Sequence, residues 1–431
     1  MICDNIRINE DGNLTFAGLD TIDLAKKYGT PLYLMDEDKI RENCNIYKDA
    51  LKKYFGDSAR VLYASKAAAF KRLYEIIDDE DMGIDVVSSG EIYTAIKAGV
   101  SLQNAYFHGN NKTDFDIKYA IENKIGYFVV DNIEELDAIE KESSRQCIIQ
   151  KILLRLTPGI DVHTYEAVNT GKVDSKFGTA IETGQAEKMV EYTLGLKNIE
   201  LCGFHSHIGS QVFNSDNYLN GSEKMLDFIA DIKSKLGYET KVLNIGGGYG
   251  VRYTQDDPII DIDANIKKVS EFIKKKVKTL SINMPQIIME PGRSIVGDSG
   301  MTLYTVGTVK TITGYKSYVS VDGGMTDNPR YALYQSPYTV MIANKAREKE
   351  DFKYSVVGRC CESGDIIQED VMMPKAKRGD IVAVLTTGAY NYSMASNYNR
   401  ITRPPVVMIK DKKDYLAVRR ESFEDLVRND I

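Results

Sequence analysis

Eight short apolar runs, each the length of a buried strand, alternate with helix-like segments between residues 60 and 291. The intervals between the runs are long enough for a crossover helix that returns the chain to a parallel neighbour. Such an eight-fold alternation over about 250 residues predicts a closed (β/α)8 barrel. A doubly wound open sheet is the competing interpretation, which an alternation of this length disfavours. The eight runs are Arg60–Lys66, Met82–Ser88, Ala105–Gly109, Tyr127–Asp131, Lys151–Thr157, Ile199–His207, Val242–Gly246 and Gln286–Pro291.

The pattern changes after roughly residue 300. Runs such as Thr302–Lys310 and Ile381–Leu385 alternate with Gly, Pro and Asp turns, and helical periodicity is weak. This pattern predicts a mainly antiparallel β domain, sandwich-like or barrel-like, that completes the active site. We therefore expect an α/β barrel over residues 33–298 and a β domain formed by residues 1–32 plus 299–431. The strand-like runs at the N-terminus either add strands to that domain or sit apart from it.

Composition and charge exclude several classes of protein. The 431 residues carry a formal net charge of -7, so no global attraction to nucleic acid or to an anionic membrane is expected. No apolar stretch reaches membrane-spanning length, and the polar N-terminus lacks the apolar segment of a signal peptide. The six cysteines form no CxxC pair, so neither a metal site nor a disulfide scaffold is indicated. We expect a cytoplasmic protein with reduced thiols that acts on a small molecule.

Chemically functional residues recur where the predicted strands end. In a barrel of this kind the active site lies at the carboxyl ends of the strands. A cation, carboxylates, imidazoles and a triple glycine at successive ends form a constellation that surface composition rarely produces. In chain order the residues are Lys66, Asp85 with Ser88, His108, Asp131, Arg155, His205 with His207, Gly246–Gly248, and Glu290 with Arg293.

Three of these features match the three groups through which a protein binds pyridoxal 5'-phosphate, namely its carbonyl, its phosphate and its ring nitrogen. The Lys66 amine can form a Schiff base with a carbonyl. The Gly246–Gly248 backbone can bind a phosphate after strand seven, where such barrels often hold one. Glu290 can pair with a ring nitrogen, and Arg293 can bind the phosphate or a substrate carboxylate. The sequence therefore predicts pyridoxal 5'-phosphate as the cofactor.

Motifs along nearly the whole chain carry a family resemblance. The chain resembles the fold-type III pyridoxal-phosphate enzymes, the alanine racemase and ornithine decarboxylase group, and within it most of all the diaminopimelate decarboxylase family. The motifs are Tyr63–Lys66, Asp85–Glu91, His108–Lys112, Asp174–Gly178, His205–Gln211, Gly246–Gly248, Glu290–Arg293, Cys361–Asp365, and Gly388–Tyr390 running into Ser393–Tyr398.

The resemblance implies a role for each matching residue. Lys66 would carry the cofactor, His207 would stack on its ring, and Glu290 would keep the ring nitrogen protonated. Asp85 and Arg155 would belong to the polar network around Lys66 and Glu290. The residues implied to complete the cofactor site, chiefly around its phosphate, are Ser210, Gly246, Gly247, Gly248, Gly292, Arg293 and Tyr390.

Reaction type and substrate also follow from the resemblance. The racemases of the group place an arginine against the ring nitrogen, whereas a carboxylate such as Glu290 makes the ring a stronger electron sink. This favours decarboxylation, with Cys361 acting at the protonation step. The substrate implied is meso-2,6-diaminopimelate, which would be converted to L-lysine and CO2. The residues implied to bind it are Arg293, Arg330, Tyr334, Glu362 and Tyr390.

Two alternative functions remain open, and the chain departs from the family pattern at two positions. The chain could decarboxylate another substrate, namely ornithine, arginine or carboxynorspermidine, or it could be a non-catalytic regulator of the same fold. Tyr331 and Arg359 each replace a proline common in the family, which affects local loop shape. The resemblance further implies a homodimer with shared active sites, in which Cys361 and Glu362 come from the partner chain.

Overall fold

The computed structural model describes residues 1–160 and 175–431. In chain order, the strands β1 to β21 are Ile6–Ile8, Leu14–Phe16, Leu19–Asp20, Leu32–Asp36, Arg60–Ala64, Gly83–Val86, Ala105–Phe107, Tyr127–Val130, Gln150–Thr157, Thr179–Ala180, Ile199–His205, Val242–Asn244, Gln286–Met289, Gly300–Ile312, Lys316–Val321, Val340–Ile342, Phe352–Val357, Ile366–Met373, Ile381–Leu385, Val406–Lys410 and Lys413–Val418. The helices α1 to α12 are Thr21–Tyr28, Glu37–Phe55, Lys71–Asp79, Ser89–Lys97, Asp114–Glu122, Ile133–Arg145, Gln185–Leu194, Asp216–Leu236, Ile262–Leu280, Arg293–Val296, Arg330–Tyr334 and Phe423–Val427.

One compact unit, residues 43–250 with 260–292, is a closed parallel barrel. Strands β5, β6, β7, β8, β9, β11, β12 and β13 pair in that order, and β13 pairs in parallel with β5. Each strand overlaps one of the eight predicted runs, although seven of the eight end one or two residues earlier than predicted. The predicted (β/α)8 barrel is confirmed, and the doubly wound alternative is wrong because the first and last strands are hydrogen-bonded.

The barrel strands are apolar on both faces because helices cover the outside and side chains fill the inside. Seven strands each contribute one residue to an interior cluster: Leu62, Tyr106, Val129, Leu153, Cys202, Val242 and Ile288. Polar caps begin several of the crossover helices. Ser88 accepts a hydrogen bond from Glu91 N at the start of α4, and Asn132 accepts one from Glu135 N at the start of α6.

The second compact unit comprises residues 1–42, 251–259 and 293–431. Its main sheet has the order β18-β17-β15-β14-β4-β20-β21, and β19 joins β14 to β16. Most neighbours are antiparallel, although β15 with β17 and β4 with β20 are parallel. The N-terminal strands β1 to β3 form a small sheet of their own, and Leu14 and Phe16 share a buried cluster with Leu32 and Leu303. The predicted mainly antiparallel β domain is confirmed, and the N-terminal strands belong to this unit.

No helix within the two described ranges combines the length and the apolar character needed to cross a bilayer.

Candidate active site

Lys66 lies just beyond the end of β5, not on the strand as predicted. β5 ends at Ala64, and Ser65–Ala67 form a single 3-10 turn. Lys66 is exposed on this turn, whereas its two neighbours are buried. The Tyr63 hydroxyl fixes the chain beyond the turn, because it donates to Ala68 O at 2.9 Å and accepts from Ala68 N at 3.1 Å. The turn therefore presents one amine at the carboxyl end of the barrel strands.

Glu290 directly follows β13 and is the centre of a buried hydrogen-bond cluster. His108 Nε2 lies 2.8 Å from Glu290 Oε1, and His205 Nε2 lies 3.0 Å from Oε2. Asn244 Nδ2 donates to Oε1 at 2.6 Å, and Asn244 Oδ1 accepts from Gly246 N at 2.9 Å. Because a backbone N–H can only donate, this second bond orients the Asn244 amide with its NH2 group towards Glu290. Residues on, or directly after, three separate strands thus direct donors at one carboxylate.

These donors keep Glu290 ionised. Burial by itself raises the pKa of Glu290, but the electrostatic interactions and hydrogen bonds with His108 and His205 outweigh it and hold the pKa well below its usual value. An ionised carboxylate only accepts hydrogen bonds, so both histidine Nε2 atoms act as donors. Burial lowers the pKa of His205 to about 4, and that ring is therefore neutral near pH 7. The cluster combines a buried anion with at least one neutral imidazole.

Asp85 on β6 and Arg155 on β9 interact electrostatically with each other and with Glu290. Burial raises the pKa of Asp85, and the charge of His108 opposes the rise. Asp85 Oδ1 lies 3.9 Å from His108 Nε2 and has no hydrogen-bond partner among the described residues. Burial lowers the pKa of Arg155, and the carboxylates of Asp131, Glu290 and Asp85 oppose that shift. An unsatisfied buried acceptor beside a buried cation is an arrangement suited to a polar ligand.

Neighbouring backbone atoms leave no room for side chains at the triple glycine after β12. A Cβ on Gly247 would lie 1.9 Å from Glu290 O, and one on Gly248 would lie 2.1 Å from Gly209 O. Gly246 has φ +72°, which L side chains rarely adopt. Gly246 O accepts from Glu290 N at 2.9 Å, so the loop is joined to the start of the Glu290 segment. The loop thus exposes backbone, not side chains, to a ligand.

His207 and Ser210 follow β11 and border this loop. Both are half-buried. A Cβ on Gly246 would lie 2.9 Å from His207 Nδ1, so the imidazole packs against the glycine loop. Burial, followed by the charges of Lys66 and Arg155, holds the pKa of His207 well below its usual value. His207 therefore presents a neutral ring.

Gly292 brings the ends of two barrel strands together. A Cβ at this position would lie 2.9 Å from the Ala64 Cβ and 3.0 Å from Ala64 O. Ala64 N also donates to Pro291 O at 3.1 Å. Gly292 thereby lets the segment after Glu290 approach the turn that carries Lys66.

The remaining predicted residues lie in the β unit. Arg293 is buried and donates to the Tyr253 hydroxyl, and its Cζ lies 4.7 Å from the Tyr390 ring centre. Arg330 is buried and donates to the Tyr338 hydroxyl at 3.0 Å. These side chains form one arginine–tyrosine cluster, and the half-buried side chains of Tyr334 and Tyr390 belong to the same unit.

Cys361 and Glu362 are exposed in the loop between β17 and β18. Cys361 N donates to Asn399 Oδ1 at 2.8 Å, and Gly364 N donates to Glu362 Oε1 at 3.3 Å. Within the described parts of the chain, no hydrogen bond or ion pair joins either residue to the arginine–tyrosine cluster. Asp174, which opens one of the family motifs, lies outside the described residues.

Comparison with known families decides the class of this site. Residues 37–297 match the family model described as pyridoxal-dependent decarboxylase, pyridoxal binding domain. The chain belongs to the pyridoxal-dependent decarboxylases.

Relatives of this pyridoxal-dependent decarboxylase match it over almost its full length. The diaminopimelate decarboxylase of Bacillus methanolicus is 45% identical, with 96% of each chain covered. That of Bacillus subtilis is 43% identical, with 99% of this chain and 97% of the relative covered. The solved structure of diaminopimelate decarboxylase from M. jannaschii in co-complex with L-lysine has a TM-score of 0.91 at 33% identity, covering 100% and 98% of the two chains.

Pyridoxal 5'-phosphate is the cofactor of this pyridoxal-dependent decarboxylase, and the barrel residues fit it. Lys66 offers an exposed amine for the carbonyl, and Glu290 offers an ionised carboxylate for the ring nitrogen. The Gly246–Gly248 loop has close contacts that admit only glycine and can receive a phosphate. Asp85 Oδ1 is a buried acceptor that still lacks a donor among the described residues.

Two residues of this decarboxylase were missed by the sequence interpretation. Asn244 is fully buried and links Glu290 to the glycine loop. Its only sequence signal is a polar residue at the end of the apolar run Val242–Asn244. Tyr253 contacts both cluster arginines from a segment with no recognisable motif.

Proposed function

We propose that the chain decarboxylates meso-2,6-diaminopimelate to L-lysine and CO2, the last step of lysine biosynthesis. The observation that carries the reaction type is Glu290, a buried carboxylate that three donors keep ionised. The substrate is supported by the full-length similarity to diaminopimelate decarboxylases and by L-lysine in the solved structure of a relative. Decarboxylation of one amino-acid centre of diaminopimelate leaves lysine with the other centre intact.

The barrel residues have distinct tasks in this proposal. When bound, the cofactor draws into its ring the electron pair that remains on Cα as CO2 leaves. Lys66 binds the cofactor carbonyl through its amine. Glu290 holds a proton on the ring nitrogen, because its donors prevent it from becoming protonated itself. The neutral imidazole of His207 would pack against the ring without adding charge. Asp85 and Arg155 tune the electrostatic field around Lys66 and Glu290.

Binding and the final proton transfer use the remaining residues. Ser210, Gly292 and the glycine loop of the barrel unit would hold the phosphate end. Arg293 and Tyr390 of the β unit are the further residues that we propose for cofactor binding. Arg330, Tyr334 and Glu362 bind the distal centre of the substrate: the arginine pairs with a carboxylate and Glu362 with an ammonium group. Cys361 delivers a proton to Cα.

The decisive assay is direct. Purified protein with pyridoxal 5'-phosphate receives meso-diaminopimelate, and L-lysine and CO2 are quantified, with ornithine and arginine in parallel. Ornithine lacks the distal carboxylate, and leaving a buried arginine unpaired costs about 3–5 kcal/mol, so we expect roughly a hundred- to several-thousandfold preference for diaminopimelate. Absence of lysine at full cofactor occupancy would refute the proposal, and Lys66→Ala is the inactive control.

We further propose a cytoplasmic homodimer in which Cys361 and Glu362 enter the partner's site. Their exposure in the β17–β18 loop supports this, since among the described residues neither is hydrogen-bonded or ion-paired to the arginine–tyrosine cluster. Mixing inactive Lys66→Ala chains with inactive Cys361→Ala chains tests it. Hybrid dimers should regain one working site in two, whereas no recovered activity after subunit exchange counts against shared sites.

A further inference from the structure

Tyr253 is a buried side chain that lies close to two arginines. Its ring centre is 4.6 Å from Arg330 Cζ and 5.7 Å from Arg293 Cζ, both within the range of cation–π attraction. Its hydroxyl also accepts a hydrogen bond from Arg293 Nη1. Only 4% of Tyr253 is exposed, so water screens these interactions weakly. Tyr253 therefore contacts two buried arginines at once.

The position of Tyr253 is itself fixed by its surroundings. Its N–H donates to Asp257 Oδ2 at 2.8 Å. Its carbonyl accepts from Thr339 N at 2.9 Å and from Thr339 Oγ1 at 2.8 Å. Its ring meets that of Tyr338 edge to face, with centres 5.3 Å apart and planes at 87°. Backbone and ring are thus both held, which makes Tyr253 a rigid support.

Arg330 is held by aromatic and hydroxyl groups. Its Nη1 donates to the Tyr338 hydroxyl at 3.0 Å, and its Nη2 donates to Ser336 Oγ at 3.4 Å. Across residues 1–160 and 175–431, no carboxylate forms an ion pair with it. Burial works to lower the pKa of Arg330, but Tyr253 and Tyr338 raise it overall, so the group stays charged. A buried guanidinium without a counter-charge is costly unless an anionic ligand supplies one.

We propose that Tyr253 is a specificity-determining positioning residue whose ring holds Arg330 ready for the distal carboxylate of the amino-acid substrate. This inference rests on the proposed function and extends it to a residue outside the predicted site. The distal centre keeps its carboxylate in the product, so L-lysine is a probe of the Arg330 receptor. Cadaverine has the same chain and both amines but no carboxylate, and it serves as the matched probe.

The test measures binding of L-lysine and of cadaverine to the holoenzyme by calorimetry. Tyr253→Leu and Tyr253→Met both replace the aromatic ring by an aliphatic side chain, so either one suffices if the other folds poorly. We expect the Kd of L-lysine to rise about 10- to 30-fold, as loss of a buried cation–π contact implies, and that of cadaverine to stay within about twofold. With diaminopimelate, the KM should rise while kcat changes little.

Two controls separate positioning from general damage to the core. Tyr354→Leu removes a buried tyrosine from the same apolar cluster, one whose ring has no cation–π partner among the described residues, and should leave L-lysine affinity unchanged. In an Arg330→Gln background, Tyr253→Leu should have little further effect, because the two residues act on one contact. Equal loss of affinity for L-lysine and cadaverine would overturn the inference, as would equal effects of Tyr253→Leu and Tyr354→Leu. A wild-type enzyme that neither decarboxylates diaminopimelate nor binds L-lysine would instead overturn the proposed function.

Discussion

Replacing Glu290 by glutamine tests the central electrostatic claim, because the substitution removes a charge while preserving shape. The amide oxygen of Glu290→Gln can still accept from His108 and Asn244, as Oε1 does now. The amide NH2 would then face His205 Nε2, which must become an acceptor. His205 can make this tautomer switch without breaking a hydrogen bond, because its Nδ1 has no hydrogen-bond partner among the described residues. We therefore expect the variant to fold.

We expect Glu290→Gln to have a small effect on stability and a large effect on catalysis. Charge-assisted bonds become neutral ones, but the cost of burying the charge is also removed, so the free energy of unfolding should change by less than about 2 kcal/mol. The ring nitrogen of the cofactor loses the carboxylate that keeps it protonated. Loss of one such preorganised electrostatic partner costs about a hundred- to a thousandfold in kcat. The result is an enzyme that folds and binds cofactor but decarboxylates slowly.

The assay combines lysine formation, cofactor titration and thermal unfolding on one preparation. Glu290→Ala is the informative contrast, because it leaves the His108, His205 and Asn244 donors buried without an acceptor, at about 1–3 kcal/mol for each orphan. That variant should lose both stability and activity. If Glu290→Gln retained kcat within about tenfold of wild type at full cofactor occupancy, the role assigned to Glu290 would be refuted.

Three further predictions concern the glycine loop, a buried ion pair and a buried histidine. Gly247→Ala should weaken cofactor binding at least about tenfold in a titration, since its Cβ would lie 1.9 Å from Glu290 O, whereas Gly90→Ala, whose Cβ would come no closer than 3.6 Å to Ser88, should not. Lys112 donates to Glu135 Oε1 at 2.8 Å in a fully buried pair, so Lys112→Met should lower the free energy of unfolding by about 3–5 kcal/mol. Adding Glu135→Leu should recover part of that loss, because it removes the carboxylate left without a partner. Equal losses in the single and the double variant would contradict this. Folding depresses the pKa of His205 from 6.5 to about 4, so the unfolded chain binds the extra proton and stability falls as pH drops from about 6.5 towards 4, by roughly 3 kcal/mol at most. Denaturation midpoints of His205→Gln should show a shallower decline over that range than wild type.

Much of the architecture could be predicted from the sequence because the signals are local. Each of the eight barrel strands is an apolar run of its own, and several of the crossover helices begin at a side-chain cap. Lys66, Glu290 and the glycine loop stand out because each is an unusual residue type at the end of such a run. The roles of the predicted residues in binding and catalysis stay predictions until they are measured.

The sequence by itself determined a barrel followed by a β domain, the strand ends to within two residues, and the three chemical groups that suit pyridoxal 5'-phosphate. Only the tertiary structure decided that Asn244, His108 and His205 all donate to Glu290, and that Tyr253 lies beside Arg293 and Arg330. These contacts join residues that are tens to nearly two hundred positions apart. A local sequence pattern predicts which face of a strand is buried. The hydrogen-bond partners of a buried carboxylate and the groups around a buried arginine depend instead on which distant segments pack against them.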